Sequence, residues 1–308
     1  MVEHFTNTKC SICASRNPGF YTNLFSQTDV LHLSIHPSAP YSGCLLYQQN
    51  ATDNDARTNY YGVYGGTPRL VINGNVISNS ADYSNSNIFL PYQLLTTPAS
   101  IRIVQEKFGS DSIHSTVIIK AEATHSLGNL SLFVSLAEDT VFYTGTNGES
   151  LHYNVFRKSL TAPIGMSVTL PAAVGDSVMY VFSSASNPLW DFSRIYTLAI
   201  LQDSATKDLV QAERASVNDT AVANGIWEFD SDCMLQLYPN PVSSWLTVPF
   251  SGASTALVSI YSLNGELVFQ KEVSSAQPHI FLQELPSATY VLTILDGEKK
   301  YSVKFVKQ

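Results

Sequence analysis

Val2-Glu3-His4-Phe5-Thr6-Asn7-Thr8-Lys9-Cys10-Ser11-Ile12-Cys13 sets a short apolar run directly before two cysteines separated by two residues. A helix candidate follows at residues 13–25, with Pro18-Gly19 inside it expected to kink or split it. This order puts Cys10 at or just before a helix N-terminus, where unpaired N–H groups and the helix dipole favour a thiolate. Two intervening residues bring Cys13 one turn back, close enough to resolve a mixed disulfide.

Outward from the motif, residues 30–35 read as the next strand. A second helix candidate spans residues 42–49. Tyr64-Gly65-Gly66-Thr67-Pro68-Arg69-Leu70-Val71-Ile72-Asn73-Gly74 has the form of a loop, a proline, a short apolar strand and an Asn-Gly hairpin turn. A proline at the mouth of a strand lacks the ladder N–H and belongs at an edge, and X-Pro bonds can be cis. Beyond this the chain is mostly short β-branched and aromatic runs, at 115–121, 130–136, 177–183, 196–201, 256–261 and 289–295. Boundaries are expected at 96–100 and within the weakly apolar 216–232.

The 308 residues are enough for two or three domains, and a 44% hydrophobic, 14% charged composition excludes a disordered chain. No apolar run reaches the length of a membrane-spanning helix. The net charge of −8 argues against a nucleic-acid partner. Residues 1–100, 101–233 and 234–308 carry −1, −7 and 0, a step that supports three units. Met1-Val2-Glu3-His4 has neither the basic nor the apolar region of a secretory leader, and the first motif follows so closely that a leader is expected upstream.

Other readings of Cys10 and Cys13 are a permanent small disulfide or half of a metal site. His32 and His36, four apart on a strand, face one side and could join the thiols around copper or zinc, but no second CxxC or finger-spaced His pair exists. For Cys44 and Cys233 the favoured reading is no bridge, Cys44 being an ordinary buried small hydrophobe. In the acidic middle segment Asn147-Gly148 marks a turn, and His152, Asn154 and Arg157 either line a groove or tie loops to strands.

Strand, CxxC at a helix start, strand and a Thr-Pro before a hairpin together resemble the thioredoxin superfamily. The resemblance implies that Pro68 is cis and packs against the cysteines, that Thr67 offers its backbone to an extended peptide, and that Cys10 attacks while Cys13 resolves. It also implies a buried proton-relaying carboxylate on the preceding strand. Glu3 is the only carboxylate upstream, and His4 is the alternative. Lys9 replaces the family's usual Trp, Ser11-Ile12 replaces Gly-Pro, and the span to Pro68 suggests an insertion around residues 38–60.

Glu3-His4-Phe5-Thr6, Ser34-Ile35-His36-Pro37, Ala137-Glu138-Asp139, Asn147-Gly148-Glu149 and Asn154-Val155-Phe156-Arg157-Lys158, taken with residues 61–74, resemble the Omp-twenty-eight-related family of Bacteroidetes over about residues 2–215. That implies a thioredoxin-like domain followed by a β-sandwich at the cell envelope. The tail carries Tyr238-Pro239-Asn240-Pro241, Ile260-Tyr261-Ser262-Leu263-Asn264-Gly265 and Lys304-Phe305-Val306-Lys307. It resembles the C-terminal sorting domain of the type IX (Por) secretion system, with Ala288 where the family usually has Gly.

The expected fold is α+β, then all-β. A thioredoxin-like domain spans 1–100, a β-sandwich middle domain 101–225, a linker 226–234 and an immunoglobulin-like β-sandwich sorting domain 235–308. The expected function is a secreted or surface-attached thiol–disulfide oxidoreductase. The alternative is a non-catalytic, adhesin-like binding protein whose CxxC is a structural disulfide. Cys10, Cys13, Thr67, Pro68 and Glu3 are the candidate site residues, with no cofactor or metal. Protein thiols or an extended peptide at the Thr67-Pro68 face, and the type IX machinery at the tail, are the expected partners.

Overall fold

Apolar side chains on both faces of a four-residue run require cover on both sides, and β1 (Val2–Phe5) is buried throughout. In this computed structural model, residues 1–217, 237, 239–248, 255–263, 266–274, 277–296 and 299–308 are described. Alternation along β1 sends Val2 and His4 to one face, Glu3 and Phe5 to the other. Helix α1 (Ser11–Phe25) covers the first face, with Phe20 and Leu24 against Val2, Leu70 and Ile72. The helix passes unbroken through Pro18. The proline ring lies exposed, while Cys13, Asn17, Phe20 and Leu24 keep the buried stripe at helical spacing, so packing overrides the lost hydrogen bond.

Strand β2 (His32–Ile35) pairs parallel with β1. Helix α2 (Leu45–Gln48) is shorter than the expected 42–49 and is followed by α3 (Ala51–Tyr61). Helix α3 buries Asn54, Arg57, Thr58 and Tyr61, and Tyr61 joins Phe5, Leu33 and Ile35 on the second face. Next come β3 (Arg69–Ile72), antiparallel to β1, and β4 (Asn75–Val76). Asn73 and Gly74 between them have φ of 47° and 87°, as a type I′ hairpin turn requires.

The strands that follow are β5 (Ala99–Phe108), β6 (Ser112–Ala121), β7 (Leu130–Phe142), β8 (Leu151–Ser159), β9 (Met166–Val168), β10 (Ser177–Ala185), β11 (Ile195–Asp203) and β12 (Leu209–Arg214). One sheet runs β12-β11-β7-β8-β2-β1-β3-β4, with β9 beside β7. A second sheet, β10-β6-β5, lays Ile101, Val117 and Ile119 against Leu132, Val134, Ala199 and Leu201 of the first. Strand β8 meets β2 in parallel at Ser34 and Val155. The composition step at 96–100 therefore falls at the start of β5, and strands on either side of it share one sheet.

Contacts divide the chain into two compact units, Met1–Val222 and Ala223–Gln308. In the second, β13 (Trp245–Thr247) pairs with β16 (His279–Phe281). A separate sheet of β14 (Thr255–Ser262), β15 (Leu267–Ser274), β17 (Ala288–Asp296) and β18 (Lys299–Lys307) has the order β15-β14-β17-β18. Its core comprises Leu246, Val258, Ile260, Ile280, Leu292, Ile294 and Phe305. Buried Tyr290 stacks on Phe305 and donates its hydroxyl to the Pro286 carbonyl at 2.9 Å. The linker expected at 226–234, Cys233, Tyr238 and Asn264-Gly265 lie outside the described residues.

Candidate functional site

Cys10 is the N-cap of α1, and its sulfur accepts the Cys13 backbone N–H at 3.1 Å. No acidic residue lies in the first turn, so nothing there offsets the positive end of the helix dipole. The Cys10 sulfur also lies 3.4 Å from the Thr67 carbonyl oxygen, which the thiol meets as a donor. The Thr67-Pro68 bond is cis. The structure thus brings Cys10, Cys13 and Thr67 together from a helix start and a strand approach 57 residues apart, with Pro68 next to Thr67.

The two thiols are electrostatically unequal. Cys10 is lowered to about 6, chiefly by its hydrogen bond with the Cys13 side chain; the Cys13 and Ile12 backbone N–H groups add to this, and burial opposes it. Cys13 moves strongly upward, first through its bond to Cys10 and then through burial. A thiolate at Cys10 beside a protonated Cys13 is the arrangement in which one sulfur attacks and the other resolves. Cys10 is only 3% exposed, whereas Ile12 between the cysteines is 58% exposed and Tyr64, before Thr67, is 54% exposed. Lys9 lies along Gly43 and is not among the groups that lower Cys10.

Glu3 does not join the thiols. Alternation in β1 turns it to the face opposite α1, where its carboxylate accepts from Arg57 Nε at 2.6 Å and Nη2 at 3.0 Å, and from the Tyr61 hydroxyl at 2.5 Å. Arg57 Nη2 also donates to Gln202 of β11 at 3.0 Å, so this fully buried cluster binds three elements. His4 is the β1 side chain beneath α1, against Phe20, Tyr21 and His32. Burial pushes its pKa well below the ordinary histidine value, with His32 adding to the shift.

His32, His36 and His152 are likewise buried, with His36 6.2 Å from His152 between ring centres. Among the described residues, no three His, Cys, Asp or Glu side chains converge on a metal position. Cys44 is a free, buried thiol 3.2 Å from the Thr8 hydroxyl. His152 meets the Tyr143 carbonyl at 2.8 Å, Asn154 accepts from the Tyr196 hydroxyl at 2.7 Å, and Arg157 pairs with Glu138 at 2.7 Å. All three tie neighbouring elements together.

Sequence reasoning missed the contribution of the β7–β8 connection. Asn147 donates from Nδ2 to the carbonyl oxygens of Cys10 at 3.1 Å and Asn7 at 3.3 Å. Glu149 accepts from Asn147 at 2.5 Å and from Asn17 of α1 at 2.7 Å. The signals available were the Asn147-Gly148 turn and the Asn147-Gly148-Glu149 motif of the resemblance, which locate a loop without showing what it touches.

Residues 236–308 match the family of the secretion system C-terminal sorting domain (Por secretion tail). No curated protein matches the chain. Among solved structures it is similar to HBP35 of Porphyromonas gingivalis, at 15% identity and a TM-score of 0.59, over 99% of this chain and 96% of that one. At that identity the likeness is one of fold. A domain of the outer membrane lipoprotein Omp28 from the same organism matches 42% of this chain and 95% of its own, at 18% identity and a TM-score of 0.31. The sorting domain directs export by the type IX secretion system, and the protein is one of the outer-membrane surface or the extracellular space.

Proposed function

We propose that this exported protein is a thiol–disulfide oxidoreductase with a thioredoxin-like head over residues 1–100, carried to the surface by an immunoglobulin-like sorting domain. The observation that carries the reading is geometric: the Cys10 sulfur caps the N-terminus of α1, accepts the Cys13 N–H at 3.1 Å and lies 3.4 Å from the Thr67 carbonyl oxygen, beside the cis Thr67-Pro68 bond. A staple needs no sulfur set at a helix N-cap to favour its thiolate. A working couple does, because the low-pKa sulfur is both a ready nucleophile and a good leaving group near neutral pH. Glu3 is left out of this role by its pairing with Arg57.

The Cys10 thiolate attacks one sulfur of a substrate disulfide. A mixed disulfide forms, and the other substrate sulfur leaves as a thiolate that takes a proton from water. Cys13 then gives its proton to water and attacks the Cys10 sulfur, closing the intramolecular disulfide and releasing the second substrate sulfur as a thiolate that takes up a proton from water. The substrate is reduced by two electrons and the protein is oxidised by two. The reverse sequence oxidises a dithiol. The Thr67 carbonyl oxygen lies beside the reacting sulfur, ahead of the cis bond to Pro68, and exposed Ile12 and Tyr64 offer apolar surface to an extended peptide.

Trapping tests this directly. Cys13→Ser should accumulate mixed disulfides through Cys10 with a cysteine-containing peptide, stable on a non-reducing gel, while Cys10→Ser should accumulate none. Equal labelling of both variants, or of neither, would contradict the assignment.

A further inference from the structure

The cysteine loop, residues 7–10, is held from a distant part of the chain. The connection between β7 and β8 folds its tip onto that loop: the Asn147 N–H donates to the Thr8 carbonyl oxygen at 3.2 Å, and its side chain donates to the Asn7 and Cys10 carbonyls. The Cys10 carbonyl is also the acceptor of the first helical hydrogen bond of α1, from Ala14 N–H at 3.2 Å. Asn147 is thus fixed to the backbone group that starts the helix whose N-terminus stabilises the Cys10 thiolate. Glu149 holds Asn147 on one oxygen and Asn17 on the other, tying the connection to α1 as well.

Gly145 shows how close the approach is. A Cβ added there would lie 2.5 Å from the Thr8 carbonyl oxygen and 2.8 Å from Thr8 Cβ, so the contact exists only because position 145 has no side chain. The Cys10 sulfur needs a fixed N-cap geometry to receive the Cys13 N–H, and the loop that sets this geometry ends in the carbonyls Asn147 holds.

We infer that Asn147 is a positioning residue for the Cys10 thiol, so that the β7–β8 connection of the second segment sets the reactivity of the cysteine pair in the first. The inference rests on the redox reading above and adds a residue to it. Asn147 touches no reacting atom. Its effect passes through the Cys10 carbonyl to the start of α1, and from there to the N–H groups that face the sulfur.

The test is the pH dependence of Cys10 alkylation by iodoacetamide in the full chain, followed on the Cys10 peptide by mass spectrometry. For Asn147→Ala the midpoint should move up by about one pH unit, with a rate at pH 6 lower by about tenfold. Gly145→Ala, which displaces the same contact by bulk, should shift the midpoint the same way, and it carries the test if N147A does not fold. A merely structural tie would lower thermal stability and leave the midpoint in place. A wild-type midpoint in the folded variants would therefore overturn the inference and leave the redox reading intact. A wild-type protein whose own Cys10 does not titrate below about pH 8 would overturn both.

Discussion

Arg57→Ala should cost about 3–5 kcal/mol of folding stability, roughly a hundred- to five-thousandfold in the folding equilibrium. Arg57 is fully buried, and Glu3 is 2% exposed. With the guanidinium gone, the Glu3 carboxylate would keep the Tyr61 hydroxyl and lose both charge-assisted bonds. The guanidinium also lies 4.2 Å from the Phe133 ring centre and bonds Gln202, so its removal opens a cavity between α3 and the sheet. Guanidinium chloride melts of the single variant and of Glu3→Leu/Arg57→Met separate the terms. The double variant removes both charges and should be more stable than R57A alone. A loss below about 1 kcal/mol for R57A would contradict this account of the cluster.

The second large effect is acid sensitivity. His4, His32 and His36 are buried and their pKa values are lowered, His32 to about 3, with burial the largest cause in each case. His36 also faces His152, His4 and Arg157, whose charges oppose its protonation. Because the native state holds these rings neutral, the unfolded state binds more protons once pH falls below the unfolded value near 6.5. The stabilisation is therefore complete above that pH and is lost progressively as pH drops toward the folded values. Three such groups together cost about 4 kcal/mol by pH 5.5, at about 1.4 kcal/mol each. Urea midpoints at pH 7.5 and 5.5 should differ accordingly, and His36→Gln should narrow the gap. Equal midpoints would contradict the neutral burial of these histidines.

The strands were legible because their apolar residues alternate or run continuously: residues 115–121 fall inside β6 and 196–201 inside β11. Helix α3 was not, because its buried stripe consists of Asn54, Arg57, Thr58 and Tyr61, which has helical spacing and too little hydrophobic signal. The cysteine motif, Thr67 and Pro68 could be read from local order. Choosing between Glu3 and His4 depended on the register of β1, since adjacent strand residues point to opposite faces. Asn147 could be read only as part of a turn, because its role depends on a contact across 137 residues. The tail matched by motif, so export was readable even with Tyr238 outside the described residues.

A working couple and a staple at Cys10 and Cys13 differ most in how readily the pair is reduced. The most direct test is the reduction potential of the pair in the full chain, by equilibration with glutathione or dithiothreitol, with the Cys10 thiolate titrated alongside. The potential should lie between about −120 and −270 mV and the Cys10 pKa below about 7.5. A potential below about −300 mV, or a Cys10 that fails to react, would make the pair a structural disulfide and the protein a surface binding module.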